Sequence, residues 1–427
     1  MKRTASDLDA DETRVPSKRL KTEFGPRPVS NEPVEIEREG SPAPQVEDTG
    51  KPSPKSELAY PPKSLSSGRS GPLVTFQQPS PLTTFSYDSK RELRFDDSAL
   101  RYYVDPPHGA DLRYGYERWV KRPEEKGRLD GLLKAWLRVR DGFPEGFMNG
   151  GVIAWRGVMT RILTAPYEER EGWHLNVMCV NGTLYLEEHV SDAKLLEKED
   201  LTPHHRLQSY YGYSFESFCT AGTPHAKPGW GGDVDTNVQW CSVVRTKLGN
   251  TRLVIGGEVD CVRGKLTKTN DTLVELKTSL TIRNQLDESR FEKKLLKFYF
   301  QSFLLGVPEI VVGFRSPAGK LGTIQSFQTM QIPRMVRGKP GSWDPSICLG
   351  WGERFLAFVK EAVQGDVRSA AAKEEEAPVV WRVDFKPRVG VSIIQLGPEA
   401  VEEVQAGSDR YGFLPRWYWE EQLHNQV

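Results

Sequence analysis

The chain has 427 residues, 37% of them hydrophobic, and its 58 Lys and Arg residues balance its 58 Asp and Glu residues, so the formal net charge at pH 7 is zero. This balance excludes a protein whose overall field draws it to nucleic acid or membrane, and any site for a polyanion must therefore be local. The longest apolar runs are far shorter than the ~20 residues of a membrane-spanning helix, and the polar amino terminus has no apolar signal region, which predicts a soluble, intracellular protein.

The first 80 residues have the composition of a disordered tail. They hold 12 of the 30 prolines and only three aromatic residues, too little apolar area to offset the conformational entropy lost on folding. Two basic clusters, at residues 2–3 and 17–21, flank an acidic spacer and suit a bipartite nuclear import signal, although a merely solvated tail gives the same pattern. We therefore expect a disordered tail over residues 1–80 and a nuclear location.

Residues 81–427 are predicted to form one large domain, because their aromatic density is higher and no long low-complexity break interrupts them. The predicted helices are 129–140, 149–163 and 291–305, the second with Val152, Trp155, Met159 and Ile162 on one side. The predicted strands are 183–187, 238–248, 252–261, 272–278 and 310–315. The polar stretch 369–378 is expected to be a surface loop or a frayed helix end. This mixture predicts an α/β (α+β) domain around a mixed sheet.

Five widely spaced cysteines are predicted to be reduced residues of the core. They form no C-x-x-C pair and have no nearby His at zinc-ligand spacing. Reduced cysteines agree with a cytosolic or nuclear compartment, where disulfides are rare. The five are Cys179, Cys219, Cys241, Cys261 and Cys348.

The most informative segments carry charges at alternate positions of two predicted strands. Glu258 and Asp260 are two residues apart, as are Glu275 and Lys277. Residues two apart in a strand share a face, so three carboxylates and an ammonium converge if the two strands are hairpin neighbours. Such carboxylates repel one another and lose hydration, and a single Lys does not compensate. One or two Mg²⁺ or Mn²⁺ ions would, and they could activate a water, held by Lys277, for attack on phosphorus.

This order of two acids followed by E-x-K is the pattern of the PD-(D/E)XK nucleases. Alternating charges on the solvent face of an amphipathic hairpin give the same letters. The apolar neighbours at 253–255 and 273–274 make both runs nearly continuous hydrophobics, which is typical of interior strands. Charges in interior strands favour a functional site over a solvent face.

Two further segments carry polar groups suited to phosphate. Lys294, Lys297 and Gln301 form one polar stripe on the helix predicted over 291–305, and this stripe could line a phosphate-binding cleft. A plain solvent face explains the stripe equally well. Arg156 follows Trp155, and its guanidinium could bind a phosphate through two hydrogen bonds.

Taken together, these segments resemble the decapping and exoribonuclease (DXO) family, whose fungal nuclear members accompany the nuclear 5′→3′ exoribonuclease. The match is colinear from about residue 100 to residue 418, nearly the whole predicted domain, and no catalytic motif position departs from the family pattern. The matching segments are Trp155-Arg156-Gly157, Gly212-Tyr213-Ser214-Phe215-Glu216, Gly257-Glu258-Val259-Asp260, Val274-Glu275-Leu276-Lys277-Thr278 and residues 294–303, which include Gln301.

The resemblance implies hydrolysis at the 5′ end of incompletely capped RNA. The implied reactions are release of pyrophosphate from 5′-triphosphate RNA, removal of an unmethylated cap dinucleotide and removal of a NAD cap, with 5′→3′ exoribonuclease activity in some members. The implied fold is a pair of twisted mixed β-sheets flanked by helices.

The resemblance also implies a role for each site residue. Lys277 and Gln301 would position the attacking water, and Arg156 would hold a phosphate. The implied ligands of Mg²⁺ or Mn²⁺, taken as two ions, are Glu216, Glu258 directly or through water, Asp260, Glu275 and the carbonyl of Leu276.

Two other functions fit the same residues. The chain could serve mainly as a noncatalytic partner that stabilises the nuclear exoribonuclease. An intact set of four acids and one Lys favours catalysis, because clustered charge without a use would cost stability, although the two roles are compatible. A restriction-like nuclease that cleaves DNA shares the metal site, and the family resemblance alone speaks against it.

Overall fold

Two mixed β-sheets form the framework of the computed structural model, which describes residues 56–60, 73–224, 226, 231–370, 378–406 and 409–424. All of these residues belong to one compact unit, Pro52–Val427. The α/β class and the pair of mixed sheets are as expected. Strands and helices are numbered below in chain order.

The larger sheet has ten strands. Its central strand β5 pairs parallel with both of its neighbours, while the remaining pairs are antiparallel. In spatial order the strands are β1 (Ser56–Ala59), β16 (Gly390–Gln395), β15 (Trp381–Lys386), β6 (Trp173–Val180), β7 (Thr183–His189), β5 (Val152–Trp155), β10 (Thr251–Glu258), β9 (Gln239–Leu248), β2 (Ser80–Tyr87) and β3 (Leu93–Arg94).

The smaller sheet has six strands and is also mixed. In spatial order they are β14 (Leu321–Gln328), β13 (Glu309–Arg315), β12 (Leu273–Leu280), β11 (Cys261–Val262), β4 (Tyr102–Tyr103) and β8 (Thr220–Ala221). The pairs β12 with β13 and β11 with β4 are parallel. A separate two-stranded ribbon joins β17 (Arg410–Tyr411) to β18 (Leu414–Pro415).

Helices cover these sheets and close three hydrophobic clusters. The helices of the described residues are α1 (Asp130–Arg140), α2 (Arg156–Thr164), α3 (Asp192–Glu199), α4 (Pro203–Phe218), α5 (Gln285–Leu305), α6 (Ile332–Val336), α7 (Pro345–Ala370), α8 (Pro398–Gln405) and α9 (Arg416–His424). Helices α2, α5 and α7 share a core with one face of the large sheet, α1 packs on its other face, and α4 packs on the small sheet. Even α7, with 26 residues, has no stretch apolar enough to span a bilayer, and neither has any other described helix.

The helix predicted over residues 149–163 is wrong in its first half. Residues Val152–Trp155 form β5, and the helix α2 begins only at Arg156. Val152 and Ala154 face one core cluster, while Ile153 faces the other. An interior strand that is buried on both faces reads as a continuous apolar run, and periodicity alone does not separate such a run from a buried helix.

The strand predicted over 252–261 is two strands. β10 ends at Glu258 in the large sheet, and β11 begins at Cys261 in the small one, so Glu258 and Asp260 do not share the face of one strand. The predicted hairpin exists only at β11, where Cys261 lies opposite Val274 of β12. The charged segment therefore crosses from one sheet to the other.

Other predictions are confirmed, all but one of them within two residues at each end, and α5 begins six residues before the predicted start. α1 matches the helix predicted over 129–140, and α5 contains the one predicted over 291–305, with the Asn284 side chain capping its start and Gly306, at φ 73°, ending it. β7, β9, β12 and β13 match the other four predicted strands. All five cysteines are free, and four of them are buried.

Ordered structure begins before residue 81. β1 pairs with β16, and Phe76 packs on Phe303 of α5 with ring centroids 4.5 Å apart, so parts of the predicted tail belong to the domain. The two basic clusters at 2–3 and 17–21 lie outside the described residues. Of the polar stretch 369–378, the first two residues end α7, and 371–377 also lie outside the described residues.

Candidate active site

Four carboxylates meet where the two sheets join. Glu258 is the last residue of β10, and Asp260 lies in the two-residue step from β10 to β11. Glu275 lies in β12, and Glu216 lies in the last turn of α4, the helix that packs on β12. The crossing of the chain between sheets thus places acids from one segment beside acids from two others.

Two cations contact the innermost acid, Glu275, which has 0% exposure. Lys277 Nζ donates to Glu275 Oε1 at 2.6 Å, and Arg156 Nη1 donates to Glu275 Oε2 at 2.8 Å. Lys277 Nζ also lies 3.1 Å from the carbonyl oxygen of Leu276 and 3.8 Å from Asp260 Oδ2. Asp260 Oδ2 in turn accepts a hydrogen bond from the Leu276 N–H at 2.6 Å. The two acids and two cations form one connected network.

Three of the four carboxyl groups have a raised pKa, and the fourth has a lowered one. Burial raises the pKa of Glu258 to about 7, with the charge of Asp260 adding to the shift. Burial and the charge of Glu275 raise the pKa of Asp260 to about 6, and burial with the charge of Asp260 raises the pKa of Glu216 well above its ordinary value. Burial acts the same way on Glu275, but the two cations outweigh it and hold the pKa of that carboxyl below its ordinary value.

These residues fit a divalent cation. The raised pKa values show that the site is short of positive charge, and its donors are carboxylate and carbonyl oxygens, which Mg²⁺ and Mn²⁺ prefer. Within the described ranges no three acid, His or Cys side chains are already grouped as metal ligands, and the Lys277 ammonium lies 2.6 Å from Glu275 and 3.8 Å from Asp260. Arg156 and Lys277 therefore supply part of the charge that a metal would complete.

A cavity of about 850 Å³ opens onto this cluster. Glu216, Glu258 and Asp260 line it, whereas Glu275, Lys277 and Arg156 do not. The rest of the lining mixes aromatic side chains with basic and further acidic ones: Trp119, Tyr213 and Trp240, then Arg101, Lys121, Arg122 and Arg206, then Glu124, Glu125, Asp233 and Asp235. The aromatic side chains of this cavity suit a ligand that carries flat rings, and because acids outnumber bases in its lining, an anionic ligand would need a metal ion beside the acids.

The three residues of the polar stripe of α5, Lys294, Lys297 and Gln301, are not among those that line this cavity. Lys294 and Lys297 are exposed, and Lys297 bonds to Glu168 at 3.3 Å. Gln301 is half-buried, and among the described residues no hydrogen bond joins its side chain to the carboxylates. The solvent-face interpretation therefore holds for the two lysines in this structure.

Comparison with known proteins agrees with this geometry. Residues 77–419 match the model of the RAI1 like PD-(D/E)XK nuclease family. The chain belongs to this family. Two curated relatives are the decapping nuclease RAI1 of Mycosarcoma maydis, 37% identical over 81% of this chain and 87% of that protein, and the decapping and exoribonuclease protein of Bos taurus, 38% identical over 86% of this chain and 91% of that protein.

A solved structure shows the same fold with ligands. The structure of Candida albicans Rai1 in complex with pU5 and Mn²⁺ is 26% identical, has a TM-score of 0.68, and covers 82% of this chain and 96% of that one. The RAI1-like chain is accordingly a hydrolase that acts on RNA 5′ ends.

Several residues around the acids of this RAI1-like nuclease were not predicted from the sequence. Gln239 Nε2 donates to Glu258 Oε2 at 2.8 Å, and its Oε1 accepts from Arg91 Nη1 at 2.6 Å. Trp119 and Tyr213 line the cavity with ring centroids 5.7 Å apart. Tyr213 lies inside a segment used for the family resemblance, but Gln239, Arg91 and Trp119 carry no motif that singles them out.

Proposed function

We propose that this protein hydrolyses the phosphoanhydride or phosphodiester bond at the 5′ end of incompletely capped RNA. Its reactions would be pyrophosphate release from 5′-triphosphate RNA, removal of an unmethylated cap dinucleotide and removal of a NAD cap, with 5′→3′ exoribonuclease activity as a further candidate. The observation that carries the proposal is the convergence of four carboxylates and Lys277 beside a cavity large enough for a dinucleotide, with three of the carboxylates in its lining.

The acids would hold one or two Mg²⁺ or Mn²⁺ ions. The ligands would be the carboxylates of Glu216, Glu258, Asp260 and Glu275, with the carbonyl oxygen of Leu276 beside them. Such ions, when bound, supply Lewis-acid stabilisation of phosphate oxygens and lower the pKa of water.

The basic and amide side chains would act on the substrate and the water. Arg156 uses Nη1 to bind Glu275, and since a guanidinium has five N–H groups it can hold a phosphate without breaking that bond. The Lys277 ammonium, 2.6 Å from Glu275 and 3.8 Å from Asp260, would orient the attacking water between them. Gln301 would assist from α5.

The test is a panel of RNAs with 5′-triphosphate, NAD, unmethylated guanosine cap or 5′-monophosphate, incubated with Mg²⁺ or Mn²⁺. Glu258→Ala, Asp260→Ala and Glu275→Ala should each abolish every activity together, because all reactions would use one site. Glu402→Gln, at an exposed acid of α8, is the matched control and should leave all rates unchanged. Near wild-type NAD-cap removal by any of the three variants in EDTA would refute the metal mechanism.

We further propose a nuclear location and association with the nuclear 5′→3′ exoribonuclease. The acids line a cleft suited to one RNA strand, so a partner protein has no reason to enter it. The double variant Glu258→Ala with Asp260→Ala should then still co-purify with that exoribonuclease. Loss of the complex in a variant with a normal thermal transition would mean that the partner contacts the active-site face.

A further inference from the structure

An aromatic surface adjoins the carboxylates. Tyr213 and Glu216 are three residues apart on α4, and residues at this spacing lie on one face of a helix, so the Tyr213 ring and the Glu216 carboxylate point into the same cavity. Tyr213 is 39% exposed, which is unusual for a large aromatic residue. Trp119, which follows the turn Tyr116–Arg118, brings a second ring to the same wall.

Neighbouring tyrosines pack against Trp119 and fix the position of this pair of rings. Trp119 and Tyr213 are inclined at 39° to each other, and Trp119 also packs on Tyr210 and Tyr116 at centroid distances of 5.5 and 6.4 Å. Tyr210 is buried and donates to the Tyr114 carbonyl at 2.6 Å. Aromatic surfaces fixed in this way stack nucleobases in proteins that bind single-stranded nucleic acid.

We propose that Trp119 and Tyr213 form a nucleobase-binding surface at the 5′ end of the bound RNA. The inference rests on the proposed function, since the same cavity must receive the reacting phosphates at Glu216, Glu258 and Asp260. The base has two sources: the cap nucleoside that leaves, or the first nucleoside of the RNA that stays. Both offer the same flat ring next to the phosphates.

Substrates that lack one base distinguish the two sources. One pair is guanosine-capped RNA with and without the cap guanine, and the other is 5′-triphosphate RNA with and without its first base. Tyr213→Ala should raise KM about tenfold, equivalent to about 1.4 kcal/mol, for the substrate whose base stacks, and leave KM for its base-free partner unchanged. Tyr213→Phe keeps the ring and should behave like the wild type.

The outcomes separate this inference from the proposed function. A KM effect confined to the cap pair identifies the cap nucleoside, and one confined to the triphosphate pair identifies the first RNA nucleoside. Equal loss with and without the base, or no loss in Tyr213→Ala, overturns the nucleobase surface. If the wild type cleaves none of the four RNAs, the proposed function itself fails.

A separate observation concerns how Glu258 is oriented. The Gln239 amide accepts through Oε1 from Arg91 Nη1 at 2.6 Å and from Arg122 Nη1 at 3.4 Å. A guanidinium can only donate, so Oε1 must face the arginines and the donor Nε2 must face Glu258, 2.8 Å away. Arg91 is itself fixed, because it stacks 3.8 Å from the Tyr87 ring and donates to the Asn237 carbonyl at 2.9 Å.

We infer that Gln239 is a positioning residue for Glu258 and that Arg91 acts through Gln239. The chain of hydrogen bonds runs from the turn between β2 and β3 to the edge of the site. It offers the ionised Glu258 a donor and so holds the carboxylate toward the cavity. This inference also rests on the proposed role of Glu258.

Gln239→Glu is the sharpest variant, because it keeps the acceptor for the arginines and removes the donor to Glu258. It should lower kcat at least tenfold, change KM less than twofold and weaken Mn²⁺ binding to the RNA-free protein, measured by Mn²⁺ titration. Arg91→Ala should add no further loss to Gln239→Ala, whereas Gln325→Ala on the exposed edge strand β14 should be silent.

Additive losses for Arg91→Ala and Gln239→Ala, or a fully active Gln239→Glu, would overturn the positioning role. If Gln239→Glu is fully active while Glu258→Ala is inactive, the positioning role of Gln239 is wrong but the proposed role of Glu258 is not. Full activity in Glu258→Ala as well would remove the proposed role of Glu258.

Discussion

At the scale of single residues, the negative charge of Glu275 is balanced by two cations that belong to the chain. Glu275 has no exposure, yet its pKa is depressed, because Lys277 and Arg156 contact both of its oxygens. Although burial opposes its charge, Lys277 has a raised pKa caused by Glu275 and Asp260, so it stays an ammonium. Each charge in this group is therefore stable only while its neighbours are present.

Lys277→Met should destabilise the metal-free protein more than it destabilises the metal-bound one. Removing one partner of a buried ion pair costs about 3 kcal/mol of the free energy of unfolding, and added Mn²⁺ should restore part of this because a new cation joins the acids. Turnover should stay roughly 10²-fold low, as expected for loss of a water-positioning group. Denaturant titrations with and without Mn²⁺, together with single-turnover rates, measure both effects.

The control is Lys194→Met, which removes an exposed pair with Glu197 on α3 and should change stability by less than about 1 kcal/mol. A Lys277→Met protein as stable as the wild type without metal would show that Arg156 alone balances the acids.

The sequence predicted these residues better than it predicted their geometry. Residue type and spacing singled out Glu258, Asp260, Glu275 and Lys277, because charges within apolar runs are conspicuous. Their convergence was expected from a shared strand face, whereas it comes from the step between two sheets at Asp260. Gln239 could not be predicted, since its contact with Glu258 depends on the pairing of β9 with β10 and not on any local pattern.

At the scale of elements, close packing between β10 and α2 brings Arg156 to the acids. A Cβ at Gly257 would lie 2.9 Å from Arg156 Cβ and 2.9 Å from Leu305 Cδ1, so only glycine allows α2 to start this near to the strand. In the same region, β5 was predicted as the first half of a helix over 149–163. The apolar strand is followed directly by α2, with no turn residue in the sequence to mark the boundary.

Gly257→Ala should therefore displace Arg156. We expect a loss of about 1–3 kcal/mol of unfolding free energy from overpacking and a rise in KM for triphosphate RNA larger than the fall in kcat. Gly350→Ala in α7, where a Cβ meets nothing within 4 Å, should be neutral or slightly stabilising. An unchanged KM in Gly257→Ala would mean that Arg156 does not hold the phosphate.

A second element-scale contact links β7 to the start of α1 through a buried carboxyl. Burial raises the pKa of Glu187 to about 7 even though Arg128 Nη1 lies 2.8 Å from Oε1. A carboxyl whose pKa is raised on folding binds more protons in the native state, so its contribution to stability is present below pH 4.5 and is lost as the pH rises through 7.

Glu187→Gln mimics the protonated carboxyl, so the variant should not show the decrease in folding stability that Glu187 causes as the pH rises from 4.5 through 7. Relative to the wild type, the variant should gain stability between pH 4.5 and 7, by up to about 1.4 kcal/mol per pH unit, and the difference should level off above pH 8. Because the active-site acids titrate in both proteins, the difference between their denaturant midpoints isolates Glu187. A difference that is constant from pH 4 to 8 would contradict the raised pKa.

At the scale of the whole molecule, the segment before residue 81 contributes to the main hydrophobic core. The hydroxyl of Tyr60, next to β1, donates to the Pro166 carbonyl at 2.5 Å, and Phe76 packs on Phe303, two residues beyond Gln301. Composition predicted disorder over residues 1–80, because averaging over a proline-rich stretch hides a few well-placed apolar residues. Leu58, Tyr60 and Phe76 nevertheless pack against the main core cluster.

Two truncated chains separate the import signal from this packing. A chain that starts at residue 52 should keep the melting temperature and RNA activity of the full chain, since β1 and Phe76 remain, but it should lose nuclear accumulation if Lys18, Arg19 and Lys21 act in import. A chain that starts at residue 81 removes the Phe76 ring from its contact with α5, which should cost about 2–3 kcal/mol and lower the melting temperature by roughly 3–4 °C. Phe76→Ala in the full chain should reproduce most of that shift while leaving nuclear accumulation intact. If the chain from residue 81 melts like the full chain, the contacts of Phe76 and β1 do not stabilise the domain, and the boundary expected from composition is the functional one.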